Sequence, residues 1–296
     1  MKIFKNEYQD IKIDEPLTVT IGNFDGLHVG HQKLLQTTKT FTDTKSAVIT
    51  FSPHPISVIS GIEIPTLSND EEKIELIRKE DIDYLMIVSF TKTFAKLSVD
   101  EFIDFLKNIH IRRIVVGRDF KFAYRGSGNI EHLKQYFEVI VMPDFIHNQT
   151  RVSSSFVKQL LDYGNLDEVK TLLNRPYQLT GKVVDGDKVG RTLGYPTANL
   201  DYKNAYLPKN GIYYVRVFLE NQIYDGVLNL GHNPTVNFSA RKRVEVYILD
   251  FDRDIYGKTI TIEFIKYLRE EMKFATIESL LQQMAQDVKN ARLHKI

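Results

Sequence analysis

The chain has 296 residues, of which 43% are hydrophobic and 26% charged, and its formal net charge is +1. This composition is typical of a globular protein, and the near-zero charge argues against a broad nucleic-acid-binding surface. Cysteine is absent from the sequence, which excludes disulfides and thiolate chemistry. The start lacks the apolar stretch of a signal peptide, and no apolar run reaches membrane-spanning length. We therefore predict a cytoplasmic protein with no nucleic-acid or membrane partner, and the length allows two domains.

The first half of the chain alternates near-continuous apolar runs with amphipathic segments. The runs predict strands at Leu17–Ile21, Ser46–Phe51, Tyr84–Phe90, Arg113–Val116 and Glu138–Met142. Capping boxes of the type Ser-x-x-Glu predict helices that begin at Ser68 and Ser98, and another helix covers Phe156–Leu161. This alternation predicts an α/β fold with a parallel sheet covered by helices on both faces. Ligands of such a sheet bind beyond the carboxyl ends of its strands.

A glycine-rich stretch, Gly22–His31, lies where the first predicted strand ends and a helix begins. Glycine lets the backbone approach a phosphate closely, and the amides at a helix start favour an anion. His28 and His31 are three residues apart and share a face if the helix has begun. Two imidazoles there can donate hydrogen bonds to a phosphorus-centred transition state. The alternative is a tight turn with two surface histidines, and the preceding Gly-Asn-Phe-Asp-Gly favours function.

Two later loops also follow predicted strands. Gly117–Phe122 continues to Arg125, and Phe120 in it can stack on a flat ring or simply pack in the core. Arg151–Ser155 precedes a helix, so its arginine and hydroxyls can cap that helix or grip a polyphosphate. Neither loop decides between these alternatives by itself.

Near residue 180 the pattern changes to closely spaced strands that predict an antiparallel barrel or sandwich. The predicted strands are Tyr177–Val184, Gly211–Leu219, Ile223–Leu230, Val244–Phe251 and Thr259–Phe264. From Thr276 onward, apolar residues recur at helical spacing, which predicts a terminal helix packed against the barrel. Its proposed apolar face consists of Ile277, Leu280, Leu281, Met284 and Val288.

A second cluster of candidate site residues lies within the predicted barrel. Glycines and Arg191 in the stretch 181–194 can wrap phosphates through backbone amides, or they can form a hairpin. Thr197 and Asn199 point the same way if extended, and their oxygens suit Mg²⁺ that is shared with substrate phosphates. Glu245 alternates with apolar neighbours, so it is either a buried general base for a hydroxyl or an exposed strand carboxylate.

With these motifs in hand, the sequence resembles the bacterial bifunctional riboflavin kinase/FMN adenylyltransferase family from about Thr18 to Phe274. The motifs of the first half are Gly22–His31, Phe51-Ser-Pro-His-Pro55, Gly117–Phe122 and Arg151-Val-Ser-Ser154. Those of the second half are Gly190-Arg-Thr-Leu-Gly-Tyr-Pro-Thr-Ala-Asn199, Asn229–Thr235, Glu245, Asp250-Phe251…Asp254–Gly257 and Leu268-Arg-x-Glu-x-x-Phe274. Their number and order make the resemblance specific.

The resemblance implies a Rossmann-like nucleotidyltransferase domain over residues 1–178 and a flavokinase barrel over 179–296. Riboflavin is then phosphorylated by ATP in the barrel, and FMN is adenylylated in the first domain to give FAD and pyrophosphate. The alternatives are a single-activity FMN adenylyltransferase and a flavin-binding regulator without turnover. The sequence does not indicate an oligomeric state.

The resemblance also implies roles for individual residues. His28 and His31 stabilise the ATP phosphates, Glu245 deprotonates the ribityl 5′-hydroxyl, and Thr197 and Asn199 hold Mg²⁺. The implied ATP- or phosphate-binding residues are Gly22, Asn23, Phe24, Gly30, Arg151, Ser153, Ser154, Gly181, Gly190, Arg191, Gly194 and Pro196. The implied flavin-binding residues are Pro53, Asp119, Phe120, Arg125, Arg269 and Glu271.

Three positions depart from the family pattern. Lys158 stands where arginine is usual, Ala123 where glycine is usual, and Tyr247 where histidine is common. A lysine replaces a planar fork with a point charge, so Lys158 is not an equivalent phosphate ligand.

Overall fold

A computed structural model of the chain describes residues 1–186, 190, 193–231 and 242–294. These residues form two compact units, Met1–Phe156 and Val157–Ile296. The boundary between residues 178 and 179 stays a prediction about where the two activities divide.

The first unit alternates strands and helices in chain order. Its elements are β1 (Lys2–Asn6), β2 (Leu17–Ile21), α1 (Val29–Thr38), β3 (Lys45–Ser52), α2 (Pro55–Ser60), α3 (Asp70–Arg78), β4 (Tyr84–Ser89), α4 (Val99–Asn108), β5 (Ile111–Gly117), β6 (Lys121–Phe122), β7 (Gly128–Asn129), α5 (Ile130–Lys134), β8 (Glu138–Met142), β9 (Ile146–His147), β10 (Thr150–Arg151) and the start of α6 (Ser154–Asp162). The strand order of the main sheet is β1-β4-β3-β2-β5-β8, and every neighbouring pair is parallel. The predicted parallel sheet is confirmed.

Both faces of this sheet are buried, as near-continuous apolar strands require. In β3, Ala47 and Ile49 belong to one buried cluster and Val48 belongs to another. Successive strand residues point to opposite faces, so the two clusters are the cores on the two sides of the sheet. β1 was not predicted, because its residues are mostly exposed at the sheet edge and lack a continuous apolar run.

The start of α3 differs from the prediction by one residue. Asn69, not Ser68, caps the helix: its side chain accepts from the Glu72 amide at 2.9 Å, and the Glu72 carboxylate accepts from the Asn69 amide at 2.9 Å. Ser68 Oγ instead accepts a hydrogen bond from the Gly26 amide at 3.1 Å. The capping box at Ser98 is confirmed.

The second unit is a closed antiparallel barrel with a terminal helix, as predicted. After α7 (Leu166–Leu173), its elements are β11 (Tyr177–Val184), β12 (Thr197–Asp201), β13 (Gly211–Leu219), β14 (Gln222–Gly231), β15 (Arg243–Ile248), β16 (Thr259–Arg269) and α8 (Ile277–Leu293). The strand order around the barrel is β11-β12-β15-β14-β13-β16.

Two predictions about the second unit need correction. The strand predicted to reach Phe251 ends at Ile248, and Asp250 has a φ of 55°, a left-handed conformation that does not continue a strand. Ile277 does not share the packed face of α8, since 60% of its surface is exposed in the first turn of the helix. Farther along, Ala291 is fully buried in a cluster with Tyr214 and Leu249.

Candidate active sites

The glycine-rich loop is a built structure at the carboxyl end of β2. The Gly22 amide donates to the Ile49 carbonyl at 3.0 Å, which extends the pairing of β2 with β3. Phe24 and Gly26 then adopt positive φ angles of 50° and 76°, and these turn the chain sharply. Asp25 Oδ1 accepts from the Leu67 amide at 2.7 Å, so a neighbouring loop braces the turn. The loop delivers His28 to the start of α1.

The two histidines of this loop form a stacked pair. Their ring centroids are 3.6 Å apart with an interplanar angle of 19°, and His28 is only 5% exposed. The His31 amide donates to His28 Nδ1 at 3.3 Å, so His28 caps α1. In the neutral ring that acceptor role leaves the proton on Nε2. The alternative of two surface histidines does not hold for His28.

Both histidines are held in the neutral form near pH 7. The pKa of His28 is lowered to about 4, mainly by burial and to a smaller extent by the positive charge of Arg151. Burial also lowers the pKa of His31 well below its usual value, with smaller effects from His28 and Lys73. Each ring can therefore donate a hydrogen bond at pH 7 without having a positive charge.

Residues after β8 approach the same loop. Ser154 Oγ donates to the Asp25 carbonyl at 2.8 Å, which fixes the start of α6 against the turn. Arg151 Nη2 donates to Asp119 Oδ1 at 2.7 Å, and the pair lowers the pKa of Asp119. The predicted phosphate-binding residues Arg151 and Ser154 and the predicted flavin-binding residue Asp119 thus lie close to the histidine loop or to one another.

Other predicted residues of the first unit have structural contacts of their own. Thr50 Oγ1 donates to the Asn23 carbonyl at 3.2 Å, and Ser153 Oγ accepts from the Phe156 amide at 3.1 Å. Phe120 packs against the core, with its ring 6.0 Å from Phe122. Gly22 lies next to the Phe24 ring, and Gly30 lies next to His28 and Phe145. Pro53 follows a cis peptide bond, and the Arg125 guanidinium lies over the Tyr124 ring.

Three of these predicted residues are not connected to the histidine pair. Among the described residues, no hydrogen bond, ion pair or ring contact joins Pro53, Phe120 or Arg125 to His28 or His31. Their flavin-binding role stays a prediction.

Lys73 is a residue near this site that sequence reasoning missed. It is only 7% exposed on α3, and its Nζ lies 3.6 Å from Asp70 Oδ1. The other oxygen of Asp70 accepts a hydrogen bond from Ser52 Oγ, at the end of β3. A buried lysine with one acidic partner places positive charge near His31, as its effect on the pKa of His31 indicates. Its i, i+3 spacing from Asp70 was the available signal.

The floor of the second site is set by the register of three neighbouring strands. Asn199 on β12 lies directly opposite Glu245 on β15, and Glu245 lies directly opposite Asn229 on β14. The row beside it consists of Thr197, Tyr247 and Val227. Side chains directly opposite in a sheet share a face and lie close together. The predicted metal ligands and the predicted base therefore belong to one patch.

Arg243 connects the members of this patch. Its Nε donates to Asn199 Oδ1 at 3.1 Å, and its Nη2 lies 3.2 Å from Glu245 Oε1. The Glu245 side chain is 20% exposed, which excludes the alternative of a freely solvated strand carboxylate. The sequence analysis did not single out Arg243, although it lies two residues before Glu245 and so on the same face of β15.

A cavity of about 470 Å³ lies over this floor. Apolar side chains of α8, Leu280, Met284 and Val288, line one side of it, and Glu245 and Asn229 line another. The cavity lining also includes Gly190, Leu193, Tyr195, Thr197, Ile212, Val227, Arg243, Tyr247, Arg269, Glu271, Met272, Phe274 and Asp287. A cavity with an apolar wall and a few convergent polar groups suits a flat aromatic ligand with a polar tail.

The two predicted flavin-binding residues of the second unit line this cavity. Arg269 makes two hydrogen bonds to Asp287, from Nε at 2.8 Å and from Nη2 at 2.6 Å, and Asp287 is 3% exposed. Gly231 on β14 leaves room for Glu271, because a Cβ there would stand 1.8 Å from Glu271 Oε1. Asp287 was missed in the sequence, although it follows Met284 at helical spacing.

A smaller cavity of about 310 Å³ shares Thr197 with the first. Pro196, Phe251, Arg253 and Tyr256 are among its lining residues. The strand that bears the predicted metal ligands therefore borders two cavities, as a site for two substrates requires.

The glycines predicted to bind phosphate in this unit occupy different settings. A Cβ on Gly181 would stand 2.8 Å from the Asp201 carbonyl oxygen, so close strand packing explains why this position has no side chain. Gly190 accepts from the Tyr195 amide at 2.8 Å, and Gly194 has a φ of 82° in the turn between them. Arg191 and residues 232–235 of the Asn229–Thr235 motif lie outside the described residues.

The donor atoms of Thr197 and Asn199 fit magnesium. A hydroxyl and an amide oxygen two residues apart on one strand face are hard ligands, too few to hold the ion without substrate phosphates. Among the described residues there is no group of three or more acidic, histidine or cysteine side chains suited to a metal. These two side chains therefore suit a magnesium ion that is also bound by the phosphates of ATP.

Comparison with known proteins agrees with this geometry. A riboflavin kinase family model matches residues 173–294, and an FAD synthetase family model matches residues 10–156. A bifunctional riboflavin kinase/FMN adenylyltransferase from Listeria monocytogenes is 35% identical over 98% of this chain and 95% of its own length. One of the same description from Bacillus subtilis is 33% identical over 92% of this chain and 90% of its own.

A solved structure also matches throughout. A crystal structure titled as a macrolide-efflux protein from Streptococcus pneumoniae superposes with a TM-score of 0.89 and 31% identity, and 99% of each chain is covered. In the part of our chain that the structure describes, none of the helices combines the length and the apolar character needed to cross a membrane. The two family models and the near-complete relatives confirm the resemblance inferred from the motifs, and the chain belongs to the bifunctional riboflavin kinase/FMN adenylyltransferase family.

Proposed function

We propose that this chain makes FAD from riboflavin in two ATP-dependent steps, one in each unit. The second unit phosphorylates riboflavin to FMN, and the first unit adenylylates FMN and releases pyrophosphate. The observation that supports this most strongly is the direct pairing of Asn199 with Glu245, which itself lines a cavity suited to a flavin. In a kinase, a base must lie beside the ligands of the nucleotide-bound metal.

In the kinase step, Glu245 accepts the proton of the ribityl 5′-hydroxyl as its oxygen attacks the γ-phosphorus of ATP. The bond between that phosphorus and the β–γ bridging oxygen breaks, and ADP leaves. Arg243 holds Glu245 and Asn199 together before substrates bind, through contacts of 3.2 and 3.1 Å. The base is thereby fixed in orientation, which lowers the entropic cost of reaching the reactive geometry.

The two cavities that meet at Thr197 supply separate places for the two substrates. The larger, with the apolar side of α8 and the Arg269–Asp287 pair, receives the flavin ring. The smaller, with Phe251, Pro196 and Arg253, receives the nucleotide. Thr197 and Asn199 would hold the magnesium ion, which would neutralise phosphate charge. Arg243 Nε donates to Asn199 Oδ1, the oxygen that we assign to the ion.

In the adenylyltransferase step, a phosphate oxygen of FMN attacks the α-phosphorus of ATP. The bond between that phosphorus and the α–β bridging oxygen breaks, and pyrophosphate leaves. His28 and His31 donate hydrogen bonds to phosphate oxygens from neutral rings, while Arg151 supplies positive charge. The helix start at α1 adds backbone amides that favour an anion. The nucleophile is already ionised, so this step needs no general base.

We further propose that the protein acts in the cytoplasm on riboflavin, FMN and ATP, without a nucleic-acid or membrane partner. The formal charge of +1 supports this, because a protein that binds a polyanion usually has a positive excess.

The decisive experiment is chromatographic analysis of the products that purified protein forms from riboflavin, ATP and Mg²⁺. FMN should appear first and FAD later. FMN alone would mean that the first unit is inactive. FAD from supplied FMN, with no product from riboflavin, would indicate a single-activity adenylyltransferase. Flavin binding without turnover would support the alternative of a flavin-binding regulator.

Two variants separate the sites within the same chain. His28→Ala should stop FAD formation while FMN formation continues, because the imidazole donor is absent only from the first unit. Glu245→Ala should stop phosphorylation of riboflavin while FAD still forms from supplied FMN. A thermal unfolding curve of each variant is the folding control, because the surviving reaction reports only on the unit that was not changed. Loss of both reactions in either folded variant would contradict two separate sites.

A further inference from the structure

Asn229 lies on the floor of the larger cavity with no role in the two steps described above. It is directly opposite Glu245 on the neighbouring strand, on the side away from Asn199. The row therefore reads Asn199, Glu245, Asn229, with the base between two amides. Asn199 contacts Arg243, whereas Asn229 lines the same cavity as residues of α8.

The side-chain oxygen of Asn229 is buried, yet it has no hydrogen-bond partner among the described residues. A buried acceptor without a donor costs free energy, and at the wall of a cavity a bound ligand can supply that donor. The two side chains directly opposite Asn229 do not supply one, because Ile212 on β13 is apolar and the carboxylate of Glu245 on β15 is an acceptor. The orphan acceptor therefore points to a hydroxyl or amide donor on the molecule that fills the cavity.

We propose that Asn229 accepts a hydrogen bond from a hydroxyl of the ribityl chain and thereby makes the kinase site selective for flavins that have a polyol at N10. This inference rests on the proposed riboflavin kinase function. The ring system fits the apolar wall of α8, and its polyol runs along β14 and β15 toward Glu245. Asn229 fixes the chain next to the base, so the terminal hydroxyl reaches Glu245 in a defined position. It is a positioning residue, and Glu245 remains the base.

The test compares two flavins that differ only in this chain. Riboflavin has the ribityl group, and lumiflavin has a methyl group in its place. Their dissociation constants are measured by quenching of flavin fluorescence, without ATP, in the wild type and in Asn229→Leu. The wild type should prefer riboflavin. In Asn229→Leu, riboflavin affinity should fall about tenfold, the effect of one lost hydrogen bond, and lumiflavin affinity should change less than twofold.

Asn210 offers a matched control, because its side-chain oxygen is also buried without a partner and it does not line the cavity. Asn210→Leu should leave both affinities unchanged. Asn229→Asp, which keeps an acceptor oxygen at the same place, should retain the preference for riboflavin. In steady-state assays Asn229→Leu should raise the KM for riboflavin and lower kcat, since the terminal hydroxyl is then less well placed.

Equal loss of both affinities in Asn229→Leu would mean that the residue only shapes the cavity, and unchanged affinities would mean that it does not contact the flavin. Either result overturns the proposal. These results differ from a failure of the proposed kinase function. In that case the wild type itself would neither bind nor phosphorylate riboflavin. Unchanged lumiflavin affinity in Asn229→Leu shows that the barrel is folded, and FAD formation from supplied FMN shows that the first unit is intact.

Discussion

The stacked histidines predict how the stability of the first unit responds to acid. The pKa of His28 falls from 6.5 to about 4 on folding, because burial penalises the charged ring. Between these two values the unfolded chain binds a proton that the folded chain does not. The contribution of neutral His28 to the free energy of unfolding is therefore fully present above pH 6.5 and is lost as the pH falls toward 4. At 1.36 kcal/mol per pH unit, His28 accounts for a loss of about 3 kcal/mol.

The assay is urea unfolding of the full chain at several pH values. Unfolding is monitored by hydrogen exchange in peptides from β2 and β3, which report on the first unit. His28→Asn removes the titrating group. The difference in unfolding free energy between wild type and variant should be constant from pH 7 to 8. It should then shrink by about 3 kcal/mol between pH 6.5 and 4.

A difference that stays constant down to pH 4 would refute the reasoning, because it would show that His28 keeps an ordinary pKa in the folded chain. The kinetics provide a second check. The pH dependence of kcat/KM reports groups of the free enzyme, so neutral histidines should cause no fall in FMN adenylylation as the pH rises from 6 to 8. A fall centred near pH 6.5 would show that an imidazolium is required.

The remaining predictions concern single side chains. Ala123 has φ 63° and ψ −173°, a region that suits glycine, so Ala123→Gly should stabilise the first unit by about 1 kcal/mol in urea unfolding; a loss of stability would contradict this strain. Asp287→Ala leaves Arg269 without its buried partner and should destabilise the second unit by about 3 kcal/mol, while FAD still forms from FMN. Gly231→Ala displaces Glu271 and should raise the KM for riboflavin at least about tenfold, again with adenylylation intact, whereas an unchanged KM would exclude Glu271 from the site.

Most of the fold could be predicted because it depends on local patterns. The sheet strands β2 and β8 and the barrel strands β11 and β13 have the bounds that their apolar runs predicted. The edge strand β1 was missed because its side chains are largely exposed, so no apolar run marks it. The cap of α3 was misplaced because Ser68 and Asn69 are both good caps, and a distant loop takes Ser68.

The sites could be predicted only as far as residue types and period-two spacing allow. The spacing placed Thr197 and Asn199 on one face of a strand. The placement of Glu245 between Asn199 and Asn229 depends on the register of three strands that are far apart in sequence. The roles of Arg243 and Asp287 depend on contacts across that register or from a separate helix. No spacing within one segment contains this information.

The contrast between the two sites follows from the nucleophile that each one meets. A ribityl hydroxyl is neutral at pH 7, so the kinase site must provide a base, and the base that we propose, Glu245, lies beside Arg243. The phosphate of FMN is already an anion, so a base in the first unit would add only repulsion. That unit instead presents two rings whose low pKa values keep them neutral donors, with Arg151 as the nearby charge. Neither set of groups could replace the other. A carboxylate in the first unit would repel the anionic nucleophile, and an imidazole with a pKa of about 4 in the second unit would be too weak a base for a hydroxyl.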